Sequence, residues 1–190
     1  MADLLGPMVC DVSDEASIAA LIGGLDQIDA MICNAGVSLR KPLKDTTLAE
    51  WSQVLATNLT STFLLARAAE GKLRAAKGAI VTIASTRAHM SEPGSEAYAA
   101  SKGGLLALTH ALAVSFAPDI RVNCISPGWI FTKGPTPTAD EHAFHPAGRV
   151  GTTADIAALT SFLIGPDAGF LTGAEFIADG GVTRKMIYPE

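Results

Sequence analysis

The sequence has little of what marks membrane, secreted or nucleic-acid-binding proteins. No apolar run approaches the roughly 20 residues that cross a bilayer, and the first residues lack the basic segment of a signal peptide. Charged residues make up 17% of the chain and the net charge is -5, so no basic excess indicates nucleic acid. We therefore expect a cytoplasmic protein that binds neither membranes nor nucleic acid.

Cysteine is also scarce, and its three positions fit neither a disulfide framework nor a zinc motif. Cys10, Cys33 and Cys124 each lie in or beside an apolar run, which predicts buried, reduced thiols. His142 and His145 form a lone His-x-x-His in a proline-rich loop, and a metal site there would need carboxylate or further histidine partners. We therefore expect no metal site.

Apolar residues make up 48% of the 190 residues, enough for one domain, residues 1–190, with a sizeable core. Continuous apolar runs alternate with helical patterns along the chain. The runs predict five strands, at 7–12, 29–34, 78–85, 120–125 and 174–178. Because such strands must be buried on both faces, the pattern predicts a three-layer α/β fold with a parallel sheet between helices.

Capping signals set the predicted helix limits. Ser13 is a candidate cap for a helix that ends near 23–24. Thr47 with Glu50 has the form of a capping box, which predicts a helix to about residue 58, and a further helix is predicted to about residue 76. A long helix is predicted over 96–116. Its small-residue stripe predicts close packing of another helix, either from a second subunit or from the same chain. The stripe consists of Ala100, Gly104, Ala107 and Ala111.

The start of the long helix carries a tyrosine and a lysine on one face. Tyr98 and Lys102 are four residues apart, and Ser85 closes the preceding strand. A nearby ammonium favours the phenolate, so Lys102 is expected to lower the pKa of Tyr98 toward neutrality. With the Ser85 hydroxyl to polarise a carbonyl, the three groups suit proton transfer between an alcohol and a carbonyl.

Tyr-x-x-x-Lys alone is common at solvated helix starts, but six further motifs accompany it. They are Asp11-Val12, Asn34-Ala35-Gly36, Asn58, Ser85 ahead of Tyr98, the stretch 121–128 (RVNCISPG), and Leu171-Thr172-Gly173 with 179–181 (DGG). In this order and spacing, the chain from about residue 7 onward resembles the short-chain dehydrogenase/reductase family. The resemblance implies a Rossmann-like fold and an NAD(P)-dependent oxidoreductase acting on a small alcohol or carbonyl. It also implies a homodimer or homotetramer.

The resemblance also implies a role for each matching residue. Tyr98 would be the acid and base, Lys102 would hold the nicotinamide ribose, Ser85 would orient the substrate, and Asn58 would hold a relay water. The cofactor, NAD or NADP, would meet residues from four segments. These are Asp11 and Val12; Asn34, Ala35 and Gly36; Tyr98 and Lys102; and Pro127, Gly128, Ile130 and Thr132.

The sequence departs from the family at one motif. The turn Thr-Gly-x-x-x-Gly-x-Gly, which places a pyrophosphate at a helix N-terminus, has no counterpart in the 190 residues. We expect an N-terminally truncated fold of about five strands, with strand 7–12 beside strand 29–34. The chain is then a fragment, a short homologue, or one part of a complex. The alternative function is a non-catalytic module that binds no dinucleotide and acts by oligomerising or binding a partner.

Overall fold

Four parallel strands form the main sheet of the structure, a computed structural model that describes residues 6–188. They are β1 (Ala30–Cys33), β2 (Ala79–Ile83), β3 (Arg121–Pro127) and β6 (Glu175–Ala178), and they lie side by side in that order. A separate parallel pair is formed by β4 (Ile130–Phe131) and β5 (Gly151–Thr152). All the carboxyl ends of the main strands therefore meet at one edge.

Helices connect the strands and cover both faces of the sheet. They are α1 (Glu15–Gly23), α2 (Leu48–Leu55), α3 (Ser61–Ala76), α4 (Glu96–Phe116), α5 (Ala139–Phe144) and α6 (Thr153–Ile164). The apolar side chains of α1, α3 and α4 share one core cluster with Ile80 of β2, whereas α6 packs against Val81 on the opposite face. The alternation of Ile80 and Val81 between two cores confirms the predicted three-layer, Rossmann-like α/β fold.

Shorter helical turns complete the connections. A π-helical turn (Ala56–Thr60) joins α2 to α3 without a break in the helix. Turns of 3₁₀ helix lie at Leu43–Asp45, Thr86–Ala88, Pro166–Ala168 and Val182–Arg184. Across residues 6–188, each helix is too short or too polar to cross a membrane.

The prediction of a strand at 7–12 beside β1 is wrong, so the main sheet has four strands rather than five. Val9 is fully exposed, and only Cys10 packs against the core cluster of α1 and α3. The backbone N–H of Asp11 donates to the Ser17 hydroxyl at 3.0 Å, which directs this segment toward α1. An apolar run becomes a strand only where it pairs with a neighbour, and here it does not pair with β1.

The cap of α1 also differs from the prediction. Asp14, not Ser13, accepts hydrogen bonds from the N–H groups of Ala16 and Ser17, while the N–H and hydroxyl of Ser13 both donate to Asp11. The capping box of Thr47 and Glu50 is confirmed. The helix over 96–116 is confirmed at both ends.

Candidate active site

The carboxyl ends of β1, β2 and β3 border a cleft of about 1020 Å³, and α6 forms its opposite wall. Most of the predicted site residues line this cleft. They are Asn34, Gly36, Ser85, Tyr98, Lys102, Pro127, Gly128, Ile130 and Thr132. Parallel strands direct the segments that follow them to the same edge, which explains why residues far apart in sequence meet here.

Lys102 lies at the floor of the cleft with only 4% of its surface exposed. Its Nζ donates a hydrogen bond to the carbonyl oxygen of Ile83 at 2.7 Å and lies 5.5 Å from the centre of the Tyr98 ring. Burial lowers the pKa of Lys102 to about 8. The ammonium therefore stays charged at neutral pH, close to the phenol, with one of its three N–H donors engaged by Ile83.

Ser85 follows β2 and begins the 3₁₀ turn Thr86–Ala88. Its hydroxyl oxygen accepts a hydrogen bond from the backbone N–H of Arg87 at 3.2 Å. This contact leaves the hydroxyl proton free to donate. The half-buried Tyr98 lies in the first turn of α4, so both hydroxyl-bearing residues stand at the start of a new element beside the cleft.

Asn58 does not line the cleft but lies directly behind it, buried in the π-helical turn. Its Oδ1 accepts from the N–H of Val37 at 2.8 Å, and its Nδ2 donates to the carbonyl of Val37 and to the Ser101 hydroxyl. The amide thus joins the loop after β1 to α4. A Cβ at Gly36 in that loop would lie 3.4 Å from Asn58 Oδ1 and 3.7 Å from Lys102 Nζ, so the loop backbone packs at ordinary contact distance from both side chains.

The remaining predicted cofactor residues lie beyond the end of the cleft. Val12 and Ala35 line an adjacent groove of about 320 Å³ on the outer side of β1, and this groove shares Ile32 and Asn34 with the cleft. Asp11 lines neither cavity, and its carboxylate accepts hydrogen bonds from the N–H and hydroxyl of Ser13.

One wall of the cleft, which α6 supplies, was not predicted from the sequence. Thr153, Ile156, Ala157 and Thr160 face the strand ends across the cavity. Their spacing of three and four residues marks a single helix face, which is a signal available in the sequence. This spacing alone indicates no function, because these side chains carry no distinctive chemistry.

The sequence and the fold resemble those of known oxidoreductases. Residues 2–183 match the family model described as enoyl-(acyl carrier protein) reductase. A protein of Thermotoga maritima named "uncharacterized oxidoreductase" is 46% identical over 95% of this chain and 77% of its own length. A cyclopentanol dehydrogenase of a Comamonas species is 34% identical, over 92% of this chain and 75% of its own. The inactive 2-(S)-hydroxypropyl-CoM dehydrogenase 2 of Xanthobacter autotrophicus is 35% identical, over 91% and 83%.

Solved structures are similar to this chain in fold as well as in sequence. An apo SCOR enzyme from Clostridium thermocellum has a TM-score of 0.88 and 42% identity, covering 94% of this chain and 73% of that one. ElxO with NADP bound has a TM-score of 0.83 and 29% identity, covering 92% and 77%. The fold and the cleft are those of a Rossmann-like α/β enzyme. The chain belongs to the short-chain dehydrogenase/reductase family.

Proposed function

We propose that this chain is an NAD(P)-dependent oxidoreductase that interconverts an alcohol and a carbonyl, with Tyr98 as general acid and base. The observation that carries the proposal is that Ser85, Tyr98 and Lys102 line one cleft at the carboxyl edge of the sheet. The names of the relatives support it, since they include dehydrogenases of alcohols. The neighbour ElxO, whose structure holds NADP, supports the cofactor class.

In the oxidative direction, the Tyr98 oxygen takes the proton from the substrate hydroxyl as the carbonyl forms. The Ser85 hydroxyl donates a hydrogen bond to the substrate oxygen and holds it toward Tyr98. The positive charge of Lys102 near the Tyr98 ring stabilises the phenolate form of Tyr98. This is the form that accepts the proton of the substrate. The reverse direction uses the same groups, with Tyr98 as the acid.

We assign the cleft to the nicotinamide half of a dinucleotide. Lys102 has two N–H donors beyond the one bound to Ile83, which we assign to the ribose hydroxyls. Asn34, Ala35 and Gly36 are assigned to one side of the cofactor. The other side is assigned to Pro127, Gly128, Ile130 and Thr132. When bound there, a nicotinamide supplies or takes up the hydride.

Two further sites are assigned, one for the adenine of the cofactor and one for a relay water. Asp11 and Val12 would lie at the adenine end, next to the groove beside β1. We assign a relay water to Asn58 Oδ1, which accepts one hydrogen bond from Val37 and retains a second lone pair. The first free N–H groups of α1 are already bonded to the Asp14 carboxylate, so they do not offer a diphosphate site.

One observation favours the alternative of a non-catalytic module: a relative at 35% identity is named inactive. A binding experiment separates the two functions. The chain is titrated with NADH and NADPH while cofactor fluorescence and thermal unfolding are followed, and turnover is tested with NAD and NADP on a panel of secondary alcohols.

The oxidoreductase predicts saturable binding and a rise in unfolding temperature by mass action as cofactor increases. It also predicts that Lys102→Ala weakens this binding, while Lys44→Ala at an exposed position does not. No shift for either cofactor at millimolar concentration would favour the non-catalytic module. The same titration determines whether NAD or NADP is preferred.

We further propose that residues 1–190 act as a single domain in the cytoplasm, assembled as a homodimer or homotetramer. The exposed apolar face of α4 supports the assembly, since Ala100, Ala107 and Ala111 are exposed in the single chain together with Val114. A small alcohol or carbonyl is the proposed substrate.

A further inference from the structure

The loop that joins Ser85 to Tyr98 is tied to the far side of the sheet by an acidic residue outside the cleft. His89 Nε2 lies 2.7 Å from Oε1 of Glu175, which is the first residue of β6. The fully buried Ser126 donates its hydroxyl proton to the same carboxylate oxygen. Glu175 therefore holds a loop residue on one side and a buried strand residue on the other.

The register of the sheet fixes the position of this carboxylate. Glu175 pairs with Cys124, and Ser126 is two residues further along β3, so all three side chains lie on the same face of the sheet. Ser126 is buried and Glu175 has a quarter of its side chain exposed. The hydrogen bond from Ser126 thus orients the carboxylate toward His89 from within the sheet.

A single hydrogen-bonded turn connects Ser85 to His89, the residue that contacts Glu175. The 3₁₀ turn Thr86–Ala88 has Ser85 at its N-terminal end and His89 at its C-terminal end. The N–H of Ala88 donates to the Ser85 carbonyl at 2.9 Å, and the N–H of His89 donates to the Thr86 carbonyl at 3.0 Å. A displacement of His89 therefore displaces the residue that bears the hydroxyl.

We propose that Glu175 is a positioning residue, which fixes Ser85 at the cleft through His89 and the turn between them. The inference rests on the proposed function only for the role of Ser85. The ion pairs of this loop, Arg87 with Glu92 and Glu92 with Arg40, join exposed or half-exposed side chains, and neither reaches a strand of the main sheet. The backbone joins Ser85 to the end of β2, and the hydrogen bond of His89 with Glu175 joins the other end of the turn to β6.

Hydrogen exchange tests the tether without any enzyme activity. In Glu175→Ala, the peptide that covers 85–95 is expected to exchange faster, because the turn loses its attachment to β6. In Glu175→Gln, exchange is expected to stay near that of the native chain, because the amide oxygen still accepts from Ser126 and His89. Glu70→Ala, which removes a carboxylate bonded to Arg74 on α3, is the matched control. Unchanged exchange in Glu175→Ala would overturn the proposal.

Kinetics test the consequence for Ser85. Glu175→Ala is expected to lower kcat by on the order of 10- to 100-fold, as for a misplaced group, with KM for the cofactor unchanged. Glu175→Gln should restore most of the rate. His89→Ala removes the tether from its exposed end, keeps the sheet intact, and should match Glu175→Ala, with no further loss in the double variant.

Failure of the proposed function and failure of the positioning role of Glu175 give different experimental results. A native chain without turnover contradicts the proposed function, while the exchange experiment still decides whether Glu175 holds the turn. A native rate in both Glu175→Ala and His89→Ala contradicts the positioning role. So does a lower unfolding temperature in Glu175→Ala without any change in kcat.

Discussion

Lys102 is surrounded by groups that have little capacity to solvate a charge. Its ammonium has the Ile83 carbonyl as acceptor, and the buried thiol of Cys124 is close enough to interact with its charge. Burial raises the pKa of the Cys124 thiol and lowers the pKa of Lys102 to about 8, from an ordinary value of 10.5. The folded state thus holds the lysine proton less tightly than the unfolded chain does.

This difference predicts a pH-dependent stability. Between pH 8 and 10.5 the unfolded chain binds a proton at Lys102 that the folded chain has lost, so the free energy of unfolding rises with pH. Relative to Lys102→Met, which does not titrate, the native chain should gain about 3 kcal/mol across this window. Urea unfolding at a series of pH values measures it.

The exposed Lys44→Met variant controls for the loss of one lysine. Parallel pH curves for the native chain and Lys102→Met would contradict the prediction.

Tyr98→Phe is the most direct test of the proposed chemistry. The change removes a single oxygen from a half-buried ring, so the fold is expected to remain. Turnover should fall by roughly 10²- to 10⁴-fold, the usual contribution of a general acid or base. Tyr188→Phe, at an exposed position near the end of the described chain, should retain full activity. Steady-state kinetics on both variants measures the effect, with circular dichroism to check folding. An unchanged rate in Tyr98→Phe would contradict the proposed role of this tyrosine.

At the scale of elements, the π-helical turn between α2 and α3 shows how a local irregularity positions a side chain. The sequence predicts a helix to about residue 58 and another beyond it. The structure instead continues the helix through Ala56–Thr60, with one wider turn that directs Asn58 inward to Val37 and Ser101. The sequence identified Asn58 through the family motif, whereas the contacts that use its amide depend on β1 and α4 being in place.

The ends of β3 and β6 approach each other so closely that only glycine fits. A Cβ at Gly128 would lie 2.6 Å from Cβ and 2.8 Å from Cα of Asp179. Gly128→Ala is therefore expected to destabilise the fold by about 1–3 kcal/mol through overpacking. It should also displace the cleft wall at Ile130.

Gly71→Ala is the matched control, because nothing lies within 4 Å of its missing Cβ on the exposed side of α3. It should stabilise the chain by roughly 0.5–1 kcal/mol. Thermal unfolding of both variants measures the difference. Equal unfolding temperatures for the two variants would contradict the argument.

For the whole molecule, the small-residue stripe of α4 has two different environments. A Cβ at Gly104 would lie 2.7 Å from the side chain of Leu59, so this part of the stripe packs within the chain. Ala107 and Ala111 are exposed, as is Val114, which is 80% exposed. An apolar helix face left uncovered in one chain favours association through a second copy.

The assembly prediction follows from this exposed face. Sedimentation equilibrium of the native chain should show a homodimer or homotetramer. Ala107→Arg should yield smaller species, because a charge would be buried at the contact. Ala75→Arg, at an exposed position on α3, should leave the assembly unchanged. A native chain that sediments as a monomer would contradict the prediction.

Several elements could be predicted from the sequence because their signals are local. The capping box of Thr47 and Glu50, the helix over 96–116 and the continuous apolar strands all depend on residues a few positions apart. The sequence also identified Ser85, Tyr98 and Lys102, because their chemistry is visible in one short stretch. Caps and helix turns close their hydrogen bonds within a few residues, whereas the apolar runs become strands only when they pair with a neighbour.

Contacts between distant parts of the chain fix which segments pair and which side chains meet. The run at 7–12 has the composition of a strand, yet it forms no ladder with β1, and the N–H of Asp11 in this run bonds to Ser17 of α1 instead. The wall of α6, the tether from Glu175 to His89 and the contact of Gly128 with Asp179 join residues distant in sequence. Such contacts depend on the register and order of four strands, which no local pattern encodes.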